Sequence, residues 1–230
     1  HLTCLKFSLI GFLLILFQVA DAQKVVNTMD LPELNTFLKK NQKALGPAAV
    51  MVYKDDKVVF TTTNSDYFNA KTQAPIPGAS KWFTAALVLV LVDEGKLKLD
   101  DPVSKYLPVM DKYMKSYITL RMCLAHTTGV ESSKGTSFLA PPKKKYDALE
   151  DEINAYAAKE ISNNAGEEFW YGNIGPNIAG RVLEVVTKKS FDRLAQEKLF
   201  RPLKIRATTF TNFDGKAISP ATGAQTTATD

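Results

Sequence analysis

The side chains best suited to chemistry are Cys123, His126, the Ser80-Lys81 pair and the run Tyr171-Gly172-Asn173. A thiolate, or a hydroxyl activated by a neighbouring base, attacks an ester or amide carbonyl, and histidine, lysine or tyrosine can take the proton. Spacing narrows this menu. Neighbours on a helix point about 100° apart, so Ser80 needs a register shift before it can share a face with Lys81. Cys123 lies among apolar neighbours in ITLRMCLAH and reads as a small buried hydrophobe before it reads as a nucleophile. His126 reads as a buried, hydrogen-bonded structural residue rather than a base. Taken singly, Lys81 is a solvated lysine at a helix end, Tyr171 a core aromatic beside Phe169 and Trp170, and Asn173 a turn residue before a helix started by Pro176. The other histidine is His1, so the inventory excludes a His-rich cluster or a Cys/His zinc site.

Several elements must position these groups. Asp30-Leu31-Pro32-Glu33 predicts a helix start, with Asp30 as cap, and Leu31, Leu34, Leu38 and Ala44 as one apolar face that ends at Gly46. Residues 48–53 and 58–64 are β-rich runs separated by Lys54-Asp55-Asp56-Lys57, a hairpin pattern. Residues 80–95 predict a helix buried nearly all round, stopped by Gly95, and Asp100 or Asp101 is placed to cap a short helix at Pro102. Leu149, Ile153, Tyr156 and Ala157 mark an amphipathic helix; residues 177–186 and 190–199 are two more, before an extended stretch. Pro141-Pro142 and the lysines at 143–145 read as a solvated loop. This order suggests a sheet drawing strands from both ends of the sequence, with helices inserted between.

Composition fits that picture. With 230 residues, 45% apolar and 23% charged, the chain has the profile of a globular protein with a substantial core, not of disorder or a coiled coil. The net charge of +5 is scattered, so nucleic acid is not implied as a partner. Lys6 precedes the apolar run FSLIGFLLILF and the small-x-small pattern Ala20-Asp21-Ala22. Eleven helical residues rise only about 16 Å against roughly 30 Å of hydrocarbon, so residues 1–22 are expected to be a signal peptide, and the chain secreted without stable membrane insertion after cleavage. Cys4 leaves with that segment, and Cys123 alone cannot form a disulfide within the chain.

The segment APIPGASKWFTAA at 74–86 resembles the helix-opening segment of the serine β-lactamase and penicillin-binding-protein superfamily, which includes D-Ala-D-Ala carboxypeptidases and esterases. KLKLDDPVSKYLP at 96–108, ITLRMCLAHTTGV at 118–130 and FWYGNIGPNIAGRVLEVVTKKSF at 169–191 agree in order and spacing. The resemblance, which continues through PLKIRATTF and PATGAQTTATD, covers most of residues 45–230. It implies a serine nucleophile three residues before a lysine, an acyl-enzyme, and an oxyanion held by backbone N–H groups near a helix start. By that alignment Lys81 is the family lysine, Tyr171 the proton-transfer partner and Asn173 the substrate amide contact, while the nucleophile position is Gly78. The hydroxyl is missing. Lys188 also departs from the pattern, standing where a glycine is common, and Asn164-Ala165-Gly166 stands in place of Pro-Gly.

The expected fold is therefore α+β and two-lobed, of the β-lactamase/transpeptidase type: an antiparallel sheet with flanking helices beside a mostly helical lobe, interrupted at the C-terminus. Residues 23–80 would open the α/β lobe, residues 81–200 form the helical lobe and residues 201–230 begin the return. The family's third motif, on a strand opposite the serine, has no counterpart, and Asp230 falls where the resemblance places a helix N-cap. The expected ligand is a small ester, amide or peptide; neither a metal nor an organic cofactor is implied. With Gly78 in place of serine, the chain is expected to be inactive as a hydrolase. Its alternatives are a non-catalytic module that binds a peptide or acyl ligand, or an incomplete gene model of an active serine esterase or peptidase.

Overall fold

The computed structural model describes residues 28–131, 146–211 and 217–230; residues 1–22, expected to be a signal peptide, and the lysines at 143–145 lie outside them. The described residues fall into two compact units, one ending at Ala70 and the other starting at Lys71.

In the first unit, helix α1 (Pro32–Lys40) is followed by the short α2 (Gln42–Leu45), then by strands β1 (Ala49–Lys54) and β2 (Lys57–Thr63). The expected single helix is split at Asn41, whose side-chain amide donates to the Phe37 carbonyl at 2.8 Å. Leu38 is therefore buried on α1, while Ala44, beyond the break, is exposed. Asp30 does not cap; Leu31 occupies that position and no side chain accepts a hydrogen bond there. The hairpin forms as expected, because Asp55 and Asp56 take φ of 50° and 58°, the left-handed pair that a two-residue turn needs to match strand twist. Among the described residues, β1 and β2 pair only with each other.

The second unit begins with β3 (Ala74–Pro75) and α3 (Ser80–Asp93). A 3₁₀ turn (Val103–Lys105) and the short helices α4 (Val109–Lys112) and α5 (Leu120–Leu124) follow. Next come α6 (Leu149–Ala157), α7 (Ile174–Thr187) and α8 (Phe191–Ala195), the last running into a π-helical turn (Gln196–Phe200). Strands β4 (Thr209–Phe210) and β5 (Ala224–Thr226) close the chain. The sheet order is β3-β5-β4, antiparallel throughout, with Ala74 opposite Thr226 and Phe210 opposite Ala224. The strand before α3 is thus bonded to a strand more than a hundred residues later, which fixes the start of α3 against the chain's end.

The core runs between α3, α7 and α8, with Leu87, Leu91, Ile178, Leu183 and Leu194 essentially inaccessible. Phe83 meets Phe200 edge-on at 5.1 Å and Phe191 meets Phe210 edge-on at 4.8 Å, geometry that favours aromatic pairs. Helix α3 is less enclosed than its composition suggests: Trp82 and Leu89, seven residues apart on one face, are 81% and 50% exposed. Helix α7 starts at Ile174, before the expected position, which puts Pro176 inside its first turn, where the missing N–H costs nothing. Asp100 and Asp101 do not cap. Asp100 pairs with Arg121 through two contacts of 2.7 and 2.9 Å, and Asp101 accepts from the Lys98 N–H and the Tyr106 hydroxyl. Asp230 latches the chain end by accepting from the Ala207 N–H at 2.7 Å and the Thr208 hydroxyl at 2.9 Å. Among the described residues, no helix is long and apolar enough to cross a membrane.

Candidate active site

The first turns of α3 present three polar side chains, Ser80, Lys81 and Thr84, all buried. Each is tied to residues 220–224. Ser80 Oγ donates to the Ile76 carbonyl and accepts from the Ala224 N–H, both at 3.0 Å. Thr84 Oγ1 donates to the Pro220 carbonyl at 2.7 Å, and Lys81 Nζ to the Ala221 carbonyl at 3.2 Å. Burying three polar groups is tolerable because each finds a partner. Ser80 is fully enclosed with its hydroxyl engaged on both sides, so it is a clamp between β5 and the helix start. Fully buried, its hydroxyl is out of reach of a substrate.

Lys81 is the one of the three that reaches the surface. Its ammonium sits 4.8 Å from the centroid of the Tyr171 ring, a cation–π arrangement. Tyr171 is 58% exposed, so the core-aromatic reading of this residue is wrong. Gly78 precedes Lys81 by one helical turn. A Cβ built on it would meet the Tyr171 hydroxyl at 3.6 Å, an ordinary contact, and its φ is not in the left-handed region. Nothing in the backbone therefore requires glycine at 78, and any side chain placed there would face Tyr171 across the same opening.

His126 is closer to this opening than its sequence context implied. Its ring lies 4.8 Å from that of Tyr171 and 5.8 Å, edge-on, from that of Phe169. Its carbonyl accepts from the Trp170 N–H at 2.8 Å, and Nδ1 accepts a long 3.4 Å bond from the Gly172 N–H. Burial, and secondarily the Lys81 charge, hold its pKa below the ordinary 6.5. A neutral imidazole with Nδ1 as acceptor is what the Gly172 contact needs. The structural role expected for His126 is present, and its specific use is to hold residues 170–172. Asn173 occupies the cap position of α7 without its side chain capping the helix, and is partly exposed.

Asn177 is the residue that the sequence did not single out. It is 1% exposed, on the inner face of α7. Nδ2 donates to Glu152 Oε2 at 3.1 Å, while Oδ1 accepts from the Ala221 N–H at 2.9 Å and the Ser219 hydroxyl at 3.1 Å. Glu152 in turn accepts from the Tyr156 hydroxyl, whose pKa burial pushes up. One side chain thus fixes Ala221, the residue whose carbonyl holds Lys81. Close approach does the rest: a Cβ at Gly175 would stand 2.1 Å from the Cys123 carbonyl, and one at Gly180 would stand 2.2 Å from Pro220 Cγ. Cys123 itself is fully buried and burial pushes its thiol pKa up, so it packs and does not react.

The arrangement offers a cation, a phenol and a neutral imidazole around an opening that contains no nucleophilic hydroxyl at position 78. The family model for Beta-lactamase matches residues 25–230. This chain belongs to the β-lactamase family. Protein flp of Staphylococcus aureus strain MW2 is 33% identical over 209 residues, 85% of this chain and 40% of that protein. A crystal structure of a β-lactamase-type protein from Bacteroides dorei superimposes with a TM-score of 0.74 at 30% identity, over 88% of this chain and 61% of that one. A D-stereospecific amidohydrolase from a Streptomyces species gives 0.69 at 22% identity, over 87% and 70%. The chain spans about 40% of the length of the flp protein it matches. Its fold is that of the β-lactamase/transpeptidase group, and it is related to the acyl-serine hydrolases and penicillin-binding proteins.

Proposed function

We propose that this β-lactamase relative binds a small ester, amide or peptide ligand at the opening between Gly78, Lys81, Tyr171 and Asn173 without forming an acyl-enzyme. The observation that carries the reading is the glycine at 78 together with the closure of Ser80, which leaves no serine hydroxyl able to attack. Lys81 and Tyr171, the base and proton-transfer partner by family alignment, then act as hydrogen-bond donors to a ligand oxygen, with the Asn173 amide as a further contact. Their retention limits hydrolysis to what an activated water provides. In subtilisin, an unrelated serine hydrolase, loss of the nucleophilic serine lowers turnover by about a millionfold, or about 8 kcal/mol.

A second reading, an active serine hydrolase with serine at 78, has one observation in its favour: the 3.6 Å to the Tyr171 hydroxyl leaves room for that side chain. Incubation with a fluorescent penicillin and a fluorophosphonate separates the two. The proposed function predicts reversible binding without covalent label, and stoichiometric labelling of the purified chain would refute it. We also propose that residues 1–22 direct secretion and are removed after Ala22, on the strength of the apolar run and the Ala20-Asp21-Ala22 pattern. N-terminal sequencing of chain recovered from culture medium should begin at Gln23.

A further inference from the structure

Two lysines are buried among the described residues, Lys81 and Lys115, and their charges are compensated differently. Lys115 Nζ donates to the Ala157 carbonyl at 2.8 Å, at the C-terminal end of α6 where the helix dipole favours a cation, and to the Tyr113 carbonyl at 3.5 Å. Lys81 lies in the first turn of α3, the end that disfavours a cation, and its side chain tilts toward that end. Of its three N–H donors, one reaches a carbonyl, that of Ala221 at 3.2 Å. No carboxylate among the described residues forms an ion pair with it. The Lys81 charge reaches as far as the His126 imidazole, which carries no negative charge to balance it. A buried ammonium without a counter-charge is costly, and an anion seated beside it relieves that cost.

The space beside this ammonium is the space that a side chain at 78 would fill. Gly78 is exposed, one turn before Lys81 and on the same face, and a Cβ there would stand 3.6 Å from the Tyr171 hydroxyl. An ammonium and a phenol O–H therefore border one opening. We infer that the ligand of this site is anchored by a carboxylate, such as a peptide C-terminus or the free acid that hydrolysis of an ester or amide releases, and that the uncharged ester or amide is the weaker ligand. One carboxylate oxygen accepts from Lys81 Nζ and the other from the Tyr171 hydroxyl. The inference rests on the binding function proposed above and narrows it. Hydrogen bonds to an ionised acceptor are about twice as strong as neutral ones, which sets the preference for acid over amide at about tenfold or more. The body of the ligand has rings to lie against: Tyr171 and Phe169, 58% and 66% exposed, stand 4.8 and 5.8 Å from the His126 ring between them.

The test titrates the full ¹⁵N-labelled chain with N-benzoylglycine, its methyl ester and its primary amide, three probes that differ only at the carboxyl end. The acid should shift the backbone amides of Gly78 and Gly172 saturably, and the ester and amide should bind about tenfold or more weakly. Tyr171→Phe keeps the ring beside Lys81 and removes the O–H donor, so it should weaken the acid by about tenfold and the amide less. Lys81→Met removes the cation and should bring acid and amide within about twofold of each other. Equal affinity of the natural sequence for acid and amide overturns the inference, as does the absence of a saturable shift with the acid, or shifts centred away from Gly78 and Gly172. A tenfold preference that survives Lys81→Met overturns it too. Equal affinities would leave non-covalent binding at the opening standing, whereas an adduct in the intact mass after incubation with the methyl ester refutes the proposed function itself, so the two failures are distinct. The natural sequence and Tyr171→Phe decide the matter even if Lys81→Met fails to fold.

Discussion

Replacing Asn177 by alanine removes three hydrogen bonds, one to Glu152 and two to the segment 219–221 that positions Lys81. The consequences for the three partners differ. The Ala221 N–H is buried and has nowhere else to go, which costs about 1–3 kcal/mol. The Ser219 hydroxyl keeps its bond from Thr222, and Glu152 keeps the Tyr156 hydroxyl, so each of these loses only about 0.5–1.5 kcal/mol. The sum is about 2–6 kcal/mol. Urea unfolding followed by tryptophan fluorescence reads it directly, since Trp82 and Trp170 are the two tryptophans and both belong to the second unit. Asn177→Asp keeps the acceptor for Ala221 but sets a carboxylate against Glu152. It should therefore be destabilised at pH 7 and regain part of its stability near pH 4, where one of the two carboxylates takes a proton. A loss below about 0.5 kcal/mol for Asn177→Ala, the range of a surface substitution, would refute the role assigned to this side chain. Segment 219–224 would then be held by its bonds to Ser80, Lys81 and Thr84 and by the pairing of Ala224 with Phe210.

Three further outcomes follow from the site and its supports. Gly78→Ser places a hydroxyl beside Tyr171 without steric conflict and should raise turnover of an activated ester such as p-nitrophenyl acetate by about a hundredfold or more; no gain would mean that Lys81 and Tyr171 no longer work as a proton-transfer pair. Lys188 holds the left-handed C-cap of α7 at φ 56°, so Lys188→Gly should raise unfolding stability by roughly 1 kcal/mol, measured by the urea midpoint. Because burial and Lys81 depress the His126 pKa, the folded state takes up that proton less readily than the unfolded chain. Its contribution to stability is complete above about 6.5 and is lost as the pH falls through the folded-state value, so His126→Gln should flatten the urea midpoint between pH 7 and 5.

The helices around the site were legible because their apolar spacing is long enough to show a period: α6 buries Leu149, Ile153 and Ala157 as the pattern predicts. The hairpin was legible from two β-rich runs flanking a short charged turn. Strand β4 falls within the extended stretch expected at 206–213, but β3 was not legible, since two residues carry no alternation, and the pairing of both through β5 depends on contacts far apart in sequence. The pairing of Lys81 with Tyr171 was legible only through motif order, because ninety residues separate them and each alone has an ordinary structural reading. The role of Asn177 left no signal: a polar residue within an apolar helical stretch identifies a buried hydrogen bonder only after its partners are known. Aspartate caps failed for a related reason. Asp100 and Asp101 found Arg121, Tyr106 and Lys98 instead, and a side chain with a better partner does not cap.

The central claim is that a β-lactamase-family site without a hydroxyl at position 78 binds but does not acylate. The most direct measurement is the intact mass of the purified chain after prolonged incubation with benzylpenicillin and, separately, with a fluorophosphonate, alongside Gly78→Ser. The account predicts an unchanged mass for the natural sequence and a single adduct, mapped to residue 78, for the variant. An adduct on the natural sequence that maps to Ser80 would contradict it, because Ser80 would then have left its bonds to Ile76 and Ala224 to act as the nucleophile.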